Sequence, residues 1–164
     1  MSQPSSPVSE QLDRLNIAYE WVEIPLDPDR KPIRALEELM EGRSMSPAQI
    51  VRSLLFRTGS GNFALLAAPA TARADWGKLR KALGEKRLAM AEVGEVLEAT
   101  GYPIGAVPPL ALPEPVRQLV DADIFDHDRL VIGSGVLGYA IELSSADLRR
   151  ALESTESGQF TKSA

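Results

Sequence analysis

The chain has 164 residues, 44% of them hydrophobic and 25% charged, which is typical of one compact globular domain. It contains no cysteine, which excludes disulfides, thiolate metal ligands and cysteine nucleophiles, and which fits a reducing compartment. The formal net charge of −5 argues weakly against a nucleic-acid partner, so the distribution of charge matters more than its sum.

The ends of the chain are small and polar, and residues 1–5 and 154–164 are expected to be flexible tails around a single domain at residues 6–153. The N-terminus has no apolar core of the kind found in secretory signals. No stretch reaches the roughly 20 apolar residues that a membrane helix needs. We therefore expect a cytoplasmic protein with no membrane partner.

Hydrophobic periodicity, β-branched and aromatic runs, and helix caps divide the chain into short helices and strands. In chain order, the predicted elements are a helix at 7–15, a strand at 18–24, a helix at 33–41, a helical turn at 46–49, strands at 51–57 and 62–68, a helix at 75–83, a short strand at 87–91, a helix at 93–100, strands at 117–121, 129–133 and 136–143, and a last helix from 144. Ile33, Leu36 and Met40 are expected to face the core. This alternation predicts an α/β (α+β) domain with a mixed, largely antiparallel sheet.

Residues 102–115 contain five prolines, which exclude a helix interior or a central strand. We expect a long ordered loop there, and such loops are functional more often than average. Gly105, just after a helix end, can expose backbone N–H and C=O groups that bind an oxyanion or orient a water. By pattern alone, a purely structural turn explains this glycine better.

Several common catalytic patterns are absent from the sequence. The one histidine, His127, lies between two aspartates and is expected to be a surface loop residue. No zinc-ligand spacing and no phosphate-binding glycine loop is present, so we expect no metal and no cofactor. The stretch Gly133-Ser134-Gly135 lacks the spacing of a nucleophile elbow, which makes Ser-His-Asp chemistry improbable.

A basic window between residues 73 and 87 stands out from the acidic whole. It carries six cations against Asp75 and Glu85, a local charge of +4. The cations are Arg73, Lys78, Arg80, Lys81, Lys86 and Arg87. A solvated helix face is the ordinary interpretation of such a run, and contact with nucleic acid is the alternative.

Several segments match the sequence pattern of one known family in the same order. They are residues 49–56 (QIVRSLLF), 78–84 (KLRKALG), 87–91 (RLAMA), 95–109 (EVLEATGYPIGAVPP), and the shorter pieces 120–121, 133–135 and 141–143. Segment 95–109 is the most specific, because it resembles the family's EV-E-TGY run and the Gly-x-x-x-Pro loop that follows. The chain thus resembles the YbaK/ProX group of aminoacyl-tRNA editing domains, which includes domains associated with prolyl-tRNA synthetase.

The resemblance implies a curved sheet flanked by helices and an aminoacyl-tRNA hydrolase that acts in trans. Its reaction would be hydrolysis of the ester between a mischarged amino acid and the 3′-terminal ribose of tRNA, without metal or organic cofactor. The implied partners are the aminoacylated end of tRNA and an aminoacyl-tRNA synthetase. A monomer and a homodimer are both compatible with the sequence.

The resemblance also implies a set of site residues. Arg52 stands where the family has a substrate-contacting lysine, and the backbone of Gly105 and Ala106 would orient the water and stabilise the oxyanion. The implied substrate-binding residues are Ile24, Ser53, Gly101, Val107, Pro108, Pro109, Gly133, Ser134 and Gly135. The implied tRNA-binding residues are Arg73, Lys78, Lys81, Lys86 and Arg87.

Two other functions stay open on the sequence. Ala106 and Pro108 replace a glycine and a serine of the family pattern, and Arg52 replaces its lysine. These changes are compatible with a non-catalytic binding module for aminoacyl-tRNA or a small molecule that keeps the fold and has lost hydrolysis. A small-molecule domain unrelated to tRNA is the third possibility.

Overall fold

The structure is a computed structural model that describes residues 4–162. The helices are α1 (Pro7–Arg14), α2 (Leu36–Gly42), α3 (Trp76–Leu83), α4 (Val93–Thr100) and α5 (Ser145–Ala151), with 3-10 turns at Pro47–Gln49 and Ala122–Asp126. The strands are β1 (Tyr19–Glu23), β2 (Val51–Thr58), β3 (Phe63–Pro69), β4 (Arg73–Ala74), β5 (Leu88–Met90), β6 (Arg117–Asp121), β7 (Arg129–Gly133), β8 (Tyr139–Ser144), β9 (Glu156–Gly158) and β10 (Thr161–Lys162).

The strands form one large mixed sheet and two smaller antiparallel ones. The large sheet has the order β5-β2-β3-β6-β9, in which β2 pairs antiparallel with β3 and β5 while β3–β6 and β6–β9 are parallel. The second sheet is β1-β8-β7, and β4 pairs with β10. An isolated bridge between Ile50 and Val131 brings β7 to the start of β2. The predicted mixed, largely antiparallel α/β fold is confirmed.

Local sequence signals set the helix boundaries as predicted. Ser6 caps α1 by accepting a hydrogen bond from the N–H of Ser9, and proline occupies the first turn. The Asp75 side chain caps α3, and Gly84 ends it in the left-handed conformation at φ +68°. Gly101 ends α4 in the same way at φ +80°.

The helices cover both faces of the large sheet. Residues alternate along β2, so Phe56 packs with Leu79 of α3 on one face while Leu55 packs with Val96 of α4 on the other. The largest core cluster joins α1 and α5 to β6, β7 and β8. No helix within residues 4–162 is both long and apolar enough to cross a membrane.

The second helix begins later than the sequence predicts. Leu26 and Pro32 form an isolated bridge, and the Asp27 carboxylate accepts the N–H groups of two residues in the turn between them. This turn leaves Ile33 outside the helix and 63% exposed, so the prediction that Ile33 faces the core is wrong. Met40 is fully buried, as predicted.

The C-terminal segment is part of the fold, which corrects the prediction of a flexible tail from residue 154. Asp121 is fully buried, and its carboxylate accepts hydrogen bonds from the N–H of Phe160 and the hydroxyl of Thr161. Strand β9 pairs with β6, and β10 pairs with β4. Residues 1–3 and 163–164 lie outside the described residues. Within the described part of the predicted N-terminal tail, residues 4 and 5 have no regular structure.

Candidate active site

A cleft of about 460 Å³ opens along the free edge of β2. Strand β5 pairs only with Phe56, Arg57 and Thr58, and β7 reaches the other end of β2 only at Ile50. The N–H of Ala91, just after β5, also donates to the C=O of Leu55. Within residues 4–162 the edge is therefore uncovered only from Val51 to Leu54, and this part forms the floor of the cleft. A gap between two sheets is a site where backbone polar groups are available to a ligand.

Ser53 presents three polar groups at this floor. Its hydroxyl is buried and has no hydrogen-bond partner among the described residues. The N–H of Thr58 bonds to Asn62 and the C=O of Ile50 to Ala70, so the even-numbered residues of β2 bond to β3. The N–H and C=O of Ser53 therefore point away from β3, toward the uncovered edge. A buried hydroxyl without a partner costs free energy of folding, so stability of the fold does not explain a serine at this position.

Arg52 lies at the mouth of the cleft and pairs with Glu37 of α2. One guanidinium nitrogen lies 2.8 Å from the Oε1 atom of Glu37, and the two side chains are 56% and 38% exposed. The end of α2 is fixed to the second sheet through Arg43, which donates two hydrogen bonds to the nearly buried Glu142. The helix that carries Glu37 is thus anchored beside the cleft.

The loop after α4 forms one wall of the cleft. The N–H of Ala106 bonds to the C=O of Pro103, and Gly105 occupies the third position of this turn at φ +92°, as a type II turn requires. Gly105 and Val107 both line the cleft, and their N–H groups have no hydrogen-bond partner within residues 4–162. Ala106 is fully buried, and its C=O accepts the N–H of Gly135. Both backbone groups of Ala106, which the resemblance assigns to the reaction, are therefore bonded within the protein, and Ala106 does not line the cleft.

The segment Gly133-Ser134-Gly135 supports this loop from behind. A side chain at Gly133 would collide with the C=O of Val107. A Cβ at Gly135 would lie 2.9 Å from the Tyr102 ring. The buried Ser134 hydroxyl donates to the C=O of Tyr139 at 2.7 Å. Gly133 lines the cleft, whereas Ser134 and Gly135 do not. Gly135 bonds to the loop through the C=O of Ala106, and Ser134 holds the turn between β7 and β8.

The other predicted substrate-binding residues fall into two groups. Ile24 lines the cleft, as do Ser53 and Val107. Gly101, Pro108 and Pro109 do not: Gly101 ends α4, and the two prolines are buried. Among the lining residues that were not predicted from the sequence are Leu36, Glu37, Met90, Val96, Ile104 and Tyr139. Met90, Val96 and Ile104 fall within segments that match the family pattern, whereas no sequence pattern marks Leu36, Glu37 and Tyr139.

The α4 wall is held by an ion pair. The two carboxylate oxygens of Glu95 lie 2.8 and 2.9 Å from one guanidinium nitrogen of Arg57 on β2. The pKa of Glu95 lies below its ordinary value, first because its carboxylate accepts the N–H of Glu92 and then because of Arg57. Glu95 immediately precedes Val96, which lines the cleft.

The predicted tRNA-binding cations lie away from the cleft. All five are exposed, and none of them lines it or forms an ion pair within the described residues. They lie on β4, on α3 and in the turn before β5. Side chains alternate between the two faces along β2, so Arg52 is on the same sheet face as Phe56. Helix α3 packs on that face.

The titratable residues that line the cleft are few. They are Glu37, Arg52 and Tyr139, and the rest of the lining is mostly apolar. No group of three potential metal-ligating side chains occurs within residues 4–162. The polar groups suited to a reacting ester are therefore the N–H groups of Gly105 and Val107, the Ser53 edge and the charged pair at the mouth.

Known proteins share this sequence and fold. The sequence model of a family described as an aminoacyl-tRNA editing domain matches residues 30–151. The proline–tRNA ligase of Kosmotoga olearia is 31% identical over 122 residues, which are 74% of this chain and 20% of the ligase. The multifunctional Ser/Thr-tRNA deacylase ProXp-y of Escherichia coli K12 is 27% identical over 118 residues, 70% of this chain and 71% of the deacylase. A crystal structure described as a proposed trans-editing enzyme for prolyl tRNA synthetase matches with a TM-score of 0.77 at 25% identity, over 95% of each chain.

These matches differ in how much of the relative they cover. The chain spans about a fifth of the length of the proline–tRNA ligases that it matches. It spans 71% of the E. coli deacylase. The family match includes every lining residue of the cleft except Ile24. The chain therefore belongs to the family of aminoacyl-tRNA editing domains.

Proposed function

We propose that this protein hydrolyses the ester of mischarged aminoacyl-tRNA in trans. The observation that carries the proposal is the meeting of three kinds of group in one cleft. These are the uncommitted N–H groups of Gly105 and Val107, the unpartnered hydroxyl of Ser53, and the cation of Arg52. Hydrolysis of an aminoacyl-tRNA ester needs hydrogen-bond donors for the carbonyl oxygen, space for a water molecule and a cation near the phosphates of the tRNA end. The groups named above can supply these three needs.

In the proposed reaction, the ester carbonyl oxygen accepts hydrogen bonds from the N–H groups of Gly105 and Val107. Water attacks the acyl carbon, the bond from that carbon to the ribose 3′ oxygen breaks, and the ribose oxygen takes a proton from the water. The products are a free amino acid and tRNA with its 3′ hydroxyl. Fixed donors that face a developing oxyanion are each worth about 10²–10³ in rate, and an aminoacyl ester is already reactive.

Arg52 acts as an electrostatic contact in this proposal. Arginine stays protonated, so it cannot serve as a general base. Its fork of donors suits ribose and phosphate oxygens at the tRNA end. Only one of its nitrogens bonds to Glu37, so other N–H groups are available to a substrate. The likeness to part of a proline–tRNA ligase makes mischarged tRNA for proline the first substrate to test.

The test is a deacylation assay against a panel of mischarged tRNAs, with release of the labelled amino acid as the readout. We expect turnover of at least one member, and a loss of about tenfold or more in kcat/KM for Arg52→Ala because one charge-assisted contact is removed. Arg117→Ala is the matched control, since Arg117 is exposed and pairs with Glu156 away from the cleft. Absence of deacylation for every member of the panel overturns the proposal.

A non-catalytic module that binds aminoacyl-tRNA is the second candidate. The observation that favours it is the ion pair between Arg52 and Glu37, in a cleft whose described lining contains no histidine, cysteine or lysine. Tight, salt-sensitive binding of aminoacyl-tRNA without turnover distinguishes this candidate, because phosphate contacts make affinity fall with salt. Salt-insensitive binding would instead indicate a small-molecule ligand.

A further inference from the structure

The cleft contains one carboxylate, and it is placed where a substrate would enter. Glu37 is the only acidic residue of the described lining. Its Oε1 atom bonds to Arg52, and its Oε2 atom has no partner among the described residues. The Glu37 side chain is 38% exposed, so its carboxylate is only partly removed from water and stays accessible to a ligand. The partner that Arg52 supplies satisfies only one of the two oxygens.

The neighbouring Glu38 shows that this placement is specific to one position on the helix. Glu38 points away from the cleft to Arg34, one turn earlier, at 3.6 Å, and its side chain is 60% exposed. Glu37 is 38% exposed and reaches across to β2 instead. Two adjacent glutamates of α2 thus have different surroundings, and only one of them faces the cleft.

The chemistry of an aminoacyl ester matches the second oxygen of Glu37. The ester carries a free α-amino group, whose ordinary pKa is about 7.7–8.0, so it is largely a cation at or below neutral pH. The same molecule carries phosphate and ribose oxygens on the other side of the ester, which suit Arg52. The carboxylate of Glu37 therefore suits the α-ammonium group, and the cation of Arg52 suits the phosphate and ribose oxygens, of one substrate.

We propose that Glu37 is a specificity residue that binds the α-ammonium group of the substrate through its free oxygen. It thereby restricts the protein to esters with an unblocked α-amino group and disfavours N-acylated or peptidyl esters. This inference rests on the proposed function, since it concerns the same cleft. An N-acyl group replaces the cation by a neutral amide, leaves the second carboxylate oxygen of Glu37 without a charged partner and adds atoms at the mouth.

The direct test uses binding, so that it does not depend on turnover. The probes are two stable amides, 3′-deoxy-3′-(L-alanylamino)adenosine and 3′-deoxy-3′-(propionylamino)adenosine, which differ only by the ammonium group. Calorimetric titration at about pH 6.5 keeps that group protonated. We expect the alanyl probe to bind roughly five- to tenfold more tightly to the native protein, the range for a half-exposed ion pair with a charged hydrogen bond.

Glu37→Gln should remove this preference and bind the two probes within about twofold of each other. Its affinity for the propionyl probe should equal that of the native protein, which excludes a loss caused by displacement of Arg52. Glu38→Gln is the matched control and should keep the preference. Equal binding of both probes by the native protein, a preference that survives Glu37→Gln, or no binding of either probe each overturns the inference.

A hydrolysis assay separates this inference from the proposed function. The native protein should deacylate alanyl-tRNA with a higher kcat/KM than N-acetylalanyl-tRNA, and Glu37→Gln should narrow that ratio mainly through KM. Equal rates on both substrates would overturn the role of Glu37 and leave the deacylase function in place. Failure to hydrolyse any mischarged tRNA would overturn the function, and the two probes would still decide the role of Glu37.

Discussion

Gly133 lies directly against the carbonyl of Val107, so close that a single added carbon at Gly133 would overlap it. Gly133 ends β7, and Val107 belongs to the loop after α4, which lines the cleft. The backbone conformation of Gly133 is ordinary, since it is not among the residues with positive φ. Close approach of two backbone segments, rather than a special turn, therefore requires glycine at this position.

Gly133→Ala should displace the loop and impair the site. Overpacking against backbone costs about 1–3 kcal/mol, and a shift of the Val107 segment would displace the loop whose N–H groups are proposed to bind the ester oxygen. We expect a lower Tm and a fall in kcat/KM of tenfold or more. Gly94→Ala on α4 is the control, because nothing lies within 4 Å of its added carbon and alanine favours a helix by about 1 kcal/mol over glycine. An unchanged Tm and rate for Gly133→Ala would contradict this explanation.

Much of the fold was predictable because its signals are local. The caps at Ser6 and Asp75 and the glycines after α3 and α4 mark helix ends through bonds between residues that are close in sequence. The resemblance also selected Arg52, Ser53 and Gly105, which the structure brings to one cleft. Short-range chemistry and a motif are sufficient for these features.

The remaining features depend on contacts between distant parts of the chain. Glu37 faces the cleft because α2 is fixed to β8 by the pair of Arg43 and Glu142, which are 99 residues apart. The C-terminal strands form because buried Asp121 accepts hydrogen bonds from residues about 40 positions later. No pattern of periodicity or turn residues encodes such pairs, so composition alone suggested a tail.

Ser53→Ala and Ser134→Ala should have opposite effects on stability. The Ser53 hydroxyl is buried without a partner, so its removal should leave the free energy of unfolding unchanged or raise it by up to about 1 kcal/mol. The Ser134 hydroxyl bonds to the Tyr139 carbonyl, so its loss should cost about 1–3 kcal/mol.

Denaturant titration measures both changes, and a deacylation assay gives the second readout. Ser53→Ala should lower kcat/KM while the protein stays as stable as the native form, which separates a role in the reaction from a role in folding. A marked loss of stability on Ser53→Ala would show that its hydroxyl has a structural partner.

The ion pairs of Glu142 should make stability depend on pH. Burial alone raises the pKa of this carboxyl, but hydrogen bonds and charge from Arg43 and Arg129 outweigh it and bring the pKa below its ordinary value of 4.5. A carboxylate with a lowered pKa in the folded protein contributes stability above its unfolded pKa, and this contribution is lost as the pH falls through the folded pKa. Stability should therefore decline below about pH 4.5.

Glu142→Gln should reduce the loss of folding stability at low pH by the amount that the Glu142 carboxyl contributes. It should also lower stability at pH 7, because Arg43 and Arg129 lose their charged acceptor. The measurement is the midpoint of urea unfolding as a function of pH. Glu153→Gln is the control, since Glu153 is exposed and forms no ion pair among the described residues. An equal flattening in both variants would assign the decline to general charge rather than to Glu142.

The basic surface of α3 should act on tRNA and not on the ester itself. Lys78 and Lys81 are exposed and lie outside the cleft, so a double change of both to Gln should raise KM for aminoacyl-tRNA and leave a short aminoacyl-nucleotide substrate unaffected. The slope of the logarithm of affinity against the logarithm of salt concentration should become less steep by about 0.9 for each removed cation that contacts phosphate. The matched control changes both Arg14 and Arg149 to Gln. These residues lie on α1 and α5, which pack against the largest core cluster, and their change should leave the slope unchanged. If both double variants lower the slope equally, the attraction is due to overall charge, and α3 is not the tRNA contact.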